Sequence, residues 1–62
     1  MRIFTCEVKM ENSAFEDPME LPQILREIAR LVAEGQTGRG IRDSNGNRVG
    51  QWVMDEIDVE AQ

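Results

Sequence analysis

Chemistry in this chain would have to come from carboxylates, six arginines, one lysine, one cysteine and a run of glycines, because histidine is absent. The most suggestive run is Asp43-Ser44-Asn45-Gly46-Asn47, whose alternating side-chain oxygens resemble the opening of a calcium-binding EF-hand loop. Such a loop needs glycine at its sixth position and a bidentate glutamate at its twelfth. Counted from Asp43, those places hold Arg48 and Met54, so a turn explains the run better than a metal site. Gly35, Gly38 and Gly40 evoke a phosphate-binding loop. That device follows a strand and opens a helix, whereas these glycines follow a helical pattern and open a strand. The acid pairs Glu16 with Asp17 and Asp55 with Glu56 could exchange protons only in a cleft that drives their pKa values apart. A 62-residue chain has little room for one, and solvated charge is the better reading.

Cys6 is the only cysteine, which excludes an internal disulfide, and no base adjoins it to generate a thiolate. We read it as a small buried hydrophobe in a reducing compartment. No catalytic, metal-ligating or cofactor-binding set emerges, and an enzyme is the least supported class.

The remaining candidates are Arg39, Arg42 and Arg48 beside Trp52, expected to be partner-binding residues. The protein carries a net charge of −5, yet positions 36–54 hold those three arginines against Asp43 alone, a local +2 that leaves −7 for the rest. A basic hairpin therefore sits on an acidic body. Three arginines on an acidic protein make a weak field for nucleic acid, which gains affinity from many phosphate contacts. Arginine and tryptophan are, however, the types that dominate protein interfaces. The eleven acids outside the hairpin could instead imitate a nucleic-acid backbone, a reading that the modest net charge disfavours.

The elements that position these residues are legible from periodicity. Residues 2–10 alternate as a strand with Phe4, Cys6, Val8 and Met10 on its core face. A loop follows, pinned by Phe15. Pro22 suits the first turn of a helix and disfavours α conformation at Leu21, so the main helix is placed at about 22–34, after one irregular turn. Ile24, Leu25, Ile28, Leu31 and Val32 form its apolar stripe, Arg30 and Glu34 pair one turn apart, and Gly35 caps its end.

Residues 38–56 read as a hairpin, with Asn45-Gly46 as a two-residue type I′ turn. That register opposes Ser44 to Asn47, Asp43 to Arg48 as an ion pair, Ile41 to Gly50 and Arg39 to Trp52. It places Ile41, Trp52 and Met54 on one face, and Val49 with Val53 on the other. The acidic tail 57–62 is expected to continue the strand in part.

The sum is one α+β domain over residues 1–62: a small β-α-β-β unit with one helix on a three-stranded, mainly antiparallel sheet. The first strand is expected beside the third, an arrangement that needs no parallel ladder. One helix covers one face, leaving the other as an apolar docking surface. A domain this small buries only about 60% of its unfolded surface, which makes a partner chain or a homodimer a natural supplement.

The run from Gly38 or Gly40 through Asp43-x-Asn45-Gly46-Asn47-x-Val49-Gly50-x-Trp52, with the preceding Leu25-Arg26-Glu27-Ile28-Ala29-Arg30, is similar to short uncharacterised proteins carried by bacteriophages and prophages. The resemblance covers about half the chain and implies a cytoplasmic accessory protein of a phage or its bacterial host, with no activity attached. The expected function is non-enzymatic binding of a host protein, with an anti-defence inhibitor of a CRISPR or restriction complex as the most concrete form. A nucleic-acid-binding regulator and a structural homodimer are the alternatives. No membrane partner is expected, since no apolar run approaches the ~20 residues that span a bilayer.

Overall fold

The structure, a computed structural model, describes residues 1–57. Three strands, β1 (Arg2–Val8), β2 (Gly38–Arg42) and β3 (Arg48–Glu56), form one antiparallel sheet in the order β1-β3-β2. One helix, α1 (Glu20–Ala33), packs across one face, and a 3-10 turn at Ser13–Glu16 precedes it. The first strand does lie beside the third. The ladder continues one residue past β3, where the Ile57 N–H donates to the Met1 carbonyl (2.7 Å) and the Met1 ammonium to the Ile57 carbonyl (2.8 Å). The rest of the acidic tail lies outside the described residues.

The helix begins two residues before Pro22. Pro22 remains in the first turn, where its missing N–H had no intrahelical partner to lose. The Asp17 carboxylate takes the Met19 N–H (2.9 Å), the Asp17 carbonyl takes the Glu20 N–H (3.0 Å), and this irregular turn carries the chain into helix. At the other end Gly35 adopts φ +91°. The Gly35 N–H donates to the Val32 carbonyl (3.0 Å) and the Gln36 N–H to the Leu31 carbonyl (3.1 Å), which is the Schellman closure. Of the expected stripe, Ile24, Ile28 and Leu31 are buried and Val32 half-buried, while Leu25 stays 48% exposed on the flank.

The hairpin tip differs from its expected form. Asn45 keeps negative φ; only Gly46 is left-handed, at φ +87°. The Gly46 N–H donates to the Asp43 carbonyl (3.0 Å) and the Asp43 N–H to the Asn47 carbonyl (2.9 Å), so the loop is three residues long, Ser44-Asn45-Gly46. That is a type I turn closed by a left-handed glycine, in place of the two-residue type I′ turn. Asp43 decides it, because its Oδ1 accepts the N–H groups of both Asn45 (3.0 Å) and Asn47 (2.9 Å).

A three-residue loop shifts the register by one, and a bulge corrects it. Arg42 opposes Arg48, yet the next pair is Ile41 with Gly50, so Val49 is the extra residue on β3. Beyond it the expected pairs Ile41–Gly50 and Arg39–Trp52 are present. The bulge also turns Val49 inward beside Trp52, which overturns its assignment to the same face as Val53. The core is Ile24, Ile28, Leu31, Ile41, Val49 and Trp52, with Cys6, Val8, Phe15 and Val32 packed around it. Phe4 points to the same side, its ring centroid 5.9 Å from that of Trp52, but is 47% exposed. The opposite face carries Ile3 and Val53 among Thr5, Glu7, Gln51 and Asp55, too polar to be the apolar docking surface expected of it.

Two glycines should respond differently to alanine. A Cβ on Gly50 would overlap the Glu7 carbonyl oxygen and stand 3.1 Å from the Val8 Cα, backbone that cannot move without opening the β1–β3 ladder. Gly50→Ala should therefore exceed the ~1–3 kcal/mol of ordinary overpacking and abolish the cooperative urea transition. A Cβ on Gly46 meets nothing within 4 Å, so Gly46→Ala should cost only the left-handed strain of about 1–2 kcal/mol. Gly46→Asn should recover part of that loss in the same measurement.

Candidate functional site

Among the described residues two acidic side chains are buried, and each is committed to the fold. Asp43, 6% exposed, accepts the Asn45 and Asn47 amides on Oδ1, while Oδ2 takes Nδ2 of Asn12 at 3.0 Å and of Asn47 at 3.5 Å. Burial pushes this carboxyl up, but the bonds from Asn12, the two amides and the Asn47 side chain outweigh it and hold the group below the ordinary aspartate value. Glu20, 5% exposed in the first turn of α1, accepts the Ser44 N–H at 2.8 Å. Among the described residues no buried side-chain polar atom lacks a partner. The expected Asp43–Arg48 ion pair does not form, because this carboxylate faces inward to amides. Arg48 instead donates from Nε to the Gly50 carbonyl (3.0 Å) and from Nη2 to Gln51 Oε1 (3.4 Å).

The surface feature of interest lies beside the hairpin edge. Between α1 and β2 runs a groove of about 600 Å³ whose floor is the buried Ile24, Ile28, Leu31, Ile41 and Trp52. All four residues singled out from the sequence line it. Trp52, 2% exposed, belongs to the floor, while Arg39, Arg42 and Arg48 are exposed along the β2 side. Arg48 lies at the β2 rim of the groove, crossing Gly40 on the sheet face of Gln51, with Nε 2.9 Å from where a Cβ on that glycine would sit. Gly40 thus gives the guanidinium its place.

Electrostatically the groove is positive. Arg42 donates Nη1 to the Gly46 carbonyl (2.9 Å), and among the described residues none of the three arginines is paired with a carboxylate. Glu27 lines the opposite wall. It is engaged by Arg30, which donates to both of its oxygens and also reaches Glu34 at 2.5 Å. The Arg30 hydrogen bonds and charge, with a smaller contribution from Arg39, hold the Glu27 carboxyl below its usual range despite desolvation. Helical periodicity puts Glu27 on the polar side of α1, opposite the apolar stripe. Its only signal in the sequence is the three-residue spacing to Arg30.

Comparison of the chain with family models, with curated proteins and with solved structures finds no match. Among the described residues, no helix is long and apolar enough to cross a membrane, and no cluster of three metal-ligating side chains occurs.

The Asp43 cluster should show in acid. Its folded pKa lies below the unfolded value near 3.8, so its stabilisation is complete above that value and is lost as pH falls through the folded one. Asp43→Asn should have a lower Tm than the wild type at pH 7, and the gap should close as pH falls below the ordinary aspartate value. A gap independent of pH in thermal melts would show that the charge on Asp43 contributes nothing.

Proposed function

We propose that this chain is a non-enzymatic protein-binding domain that docks on a host protein through the groove between α1 and β2. The carrying observation is the gathering of Arg39, Arg42 and Arg48 along the β2 edge that bounds a groove with an apolar floor, none paired with a carboxylate among the described residues, in a protein of net charge −5. Desolvated arginines around an apolar centre are the make-up of interface hot spots. Trp52 supports the floor from below, and its contribution is to hold the groove open. The similarity of the hairpin to phage-encoded proteins favours a bacterial target, with an anti-defence inhibitor as its specific form. The buried carboxylates of Asp43 and Glu20 are occupied by amides.

Affinity capture from bacterial lysate, comparing the wild type with R39E/R42E/R48E, tests this reading. The wild type should retain a specific protein, and the triple variant should retain at least about tenfold less, a loss of some 1.4 kcal/mol. Both proteins should share one circular dichroism spectrum and one urea midpoint. Equal capture by the two, or no specific capture by the wild type, would overturn it.

A further inference from the structure

The free edge of β2 borders the same groove, and its hydrogen-bonding phase can be read off its neighbours. The Met54 N–H donates to the Thr37 carbonyl (2.7 Å), and the Lys9 N–H donates to the Val49 carbonyl (2.8 Å). Even-numbered residues of β3 therefore bond toward β2, and odd-numbered ones toward β1. Because bonds alternate along an antiparallel pair, Arg39 and Ile41 face β3 with their N–H and C=O groups, while those of Gly38 and Gly40 point outward. Among the described residues, sheet order puts nothing beyond β2. The strand thus offers an unpaired ladder along one side of a basic groove.

Resting on the docking role proposed above, we infer that the groove takes an extended acidic peptide segment, added to the sheet as a fourth strand along β2. Its backbone pairs with Gly38 and Gly40. Directly opposed residues share a face, so its residue across from Arg39 points into the groove and is a carboxylate. Its residue across from Ile41 is apolar and covers the floor at Ile28, Ile41 and Trp52. Alternate side chains emerge on the other face, where Arg48 crosses Gly40 and a second carboxylate meets it. Backbone pairing supplies affinity in this mode and the alternate side chains supply selectivity.

Charge decides among occupants. A second copy joined through its own β2 would bring two sets of Arg39, Arg42 and Arg48 to one short seam, where like charges repel. A nucleic-acid strand would run its phosphates along Glu27. A peptide carboxylate meets the arginines, while Glu27 is already held by Arg30.

The test uses isotopically labelled full-length protein and a synthetic peptide of about six residues, the length of an ordinary strand, with the repeat Val-Glu-Glu, which sets valine across from Ile41 and glutamates across from Arg39 and Gly40. Amide shifts should concentrate at Gly38 and Gly40. Affinity should fall at least about tenfold when glutamate is replaced by lysine, when the backbone nitrogens facing β2 are methylated, or when the protein is R39E/R42E. Equal binding of the methylated or the lysine peptide, shifts centred elsewhere, or no binding at millimolar peptide would each overturn the inference. So would tighter binding of an oligothymidylate of equal charge, or β2 shifts on concentrating the protein alone. Groove-dependent capture of a host protein with no peptide binding would defeat this inference and leave the docking role standing. Loss of both would defeat the role itself.

Discussion

The Asp43 carboxylate is the interaction on which the rest of this structure depends. By taking the Asn45 and Asn47 amides it forces a three-residue loop where local propensity favours two residues. The one-residue shift that follows must be absorbed before the core begins, and the bulge at Val49 absorbs it. From that single adjustment come the inward turn of Val49, the close approach of Gly50 to β1 and the placement of Arg48 across Gly40. A buried acid normally destabilises a fold; this one has its acceptor sites filled by amide donors, which is the condition under which burial is tolerated.

Asp43 and Glu20 together also compensate for a thin core. Six buried apolar side chains hold the helix to the sheet. At the hairpin end they are supplemented by polar ties across distant parts of the chain: Asn12 to Asp43 fastens the loop, and Ser44 to Glu20 fastens the first turn of α1. The opposite end is built differently. There Phe4, Met54 and the Met1–Ile57 pair lie on the β1–β3 ladder, which holds them with little covering side-chain mass. The molecule is accordingly long, 45 × 22 × 17 Å. Regions with few buried apolar contacts open at the low end of the stability range, so the two ends of this sheet are expected to differ in hydrogen exchange.

The same turn gathers the arginines. Arg42 and Arg48 oppose each other across the hairpin, a like-charge pair that costs stability, and neither is offset by a carboxylate among the described residues. Arg30, by contrast, is saturated by Glu27 and Glu34 on the helix surface. Charge neutralised on the helix and left unneutralised at the hairpin edge gives the groove its sign. A local fold rule broken at a surface edge is where binding is expected.

Much of this was legible in the chain itself. Two-residue alternation fixed β1, the spacing of Ile24, Ile28 and Leu31 fixed the inner face of α1, Gly35 marked its end, and the glycine-bounded run fixed the hairpin with Trp52 across from Arg39. These are period and backbone properties, carried by neighbours within a few residues. The set Arg39, Arg42, Arg48 and Trp52 was legible as residue types too. What only tertiary structure decided was how they are used: Trp52 as floor, the arginines as one wall, Glu27 as the other. The turn type, the bulge and the early start of α1 were likewise beyond local reading. The turn and the bulge depend on the Asp43 carboxylate, whose choice of the Asn45 and Asn47 amides is settled by burial, and the buried Glu20 ties the first turn of α1 to the Ser44 amide in the same way; burial exists only once helix and sheet have met.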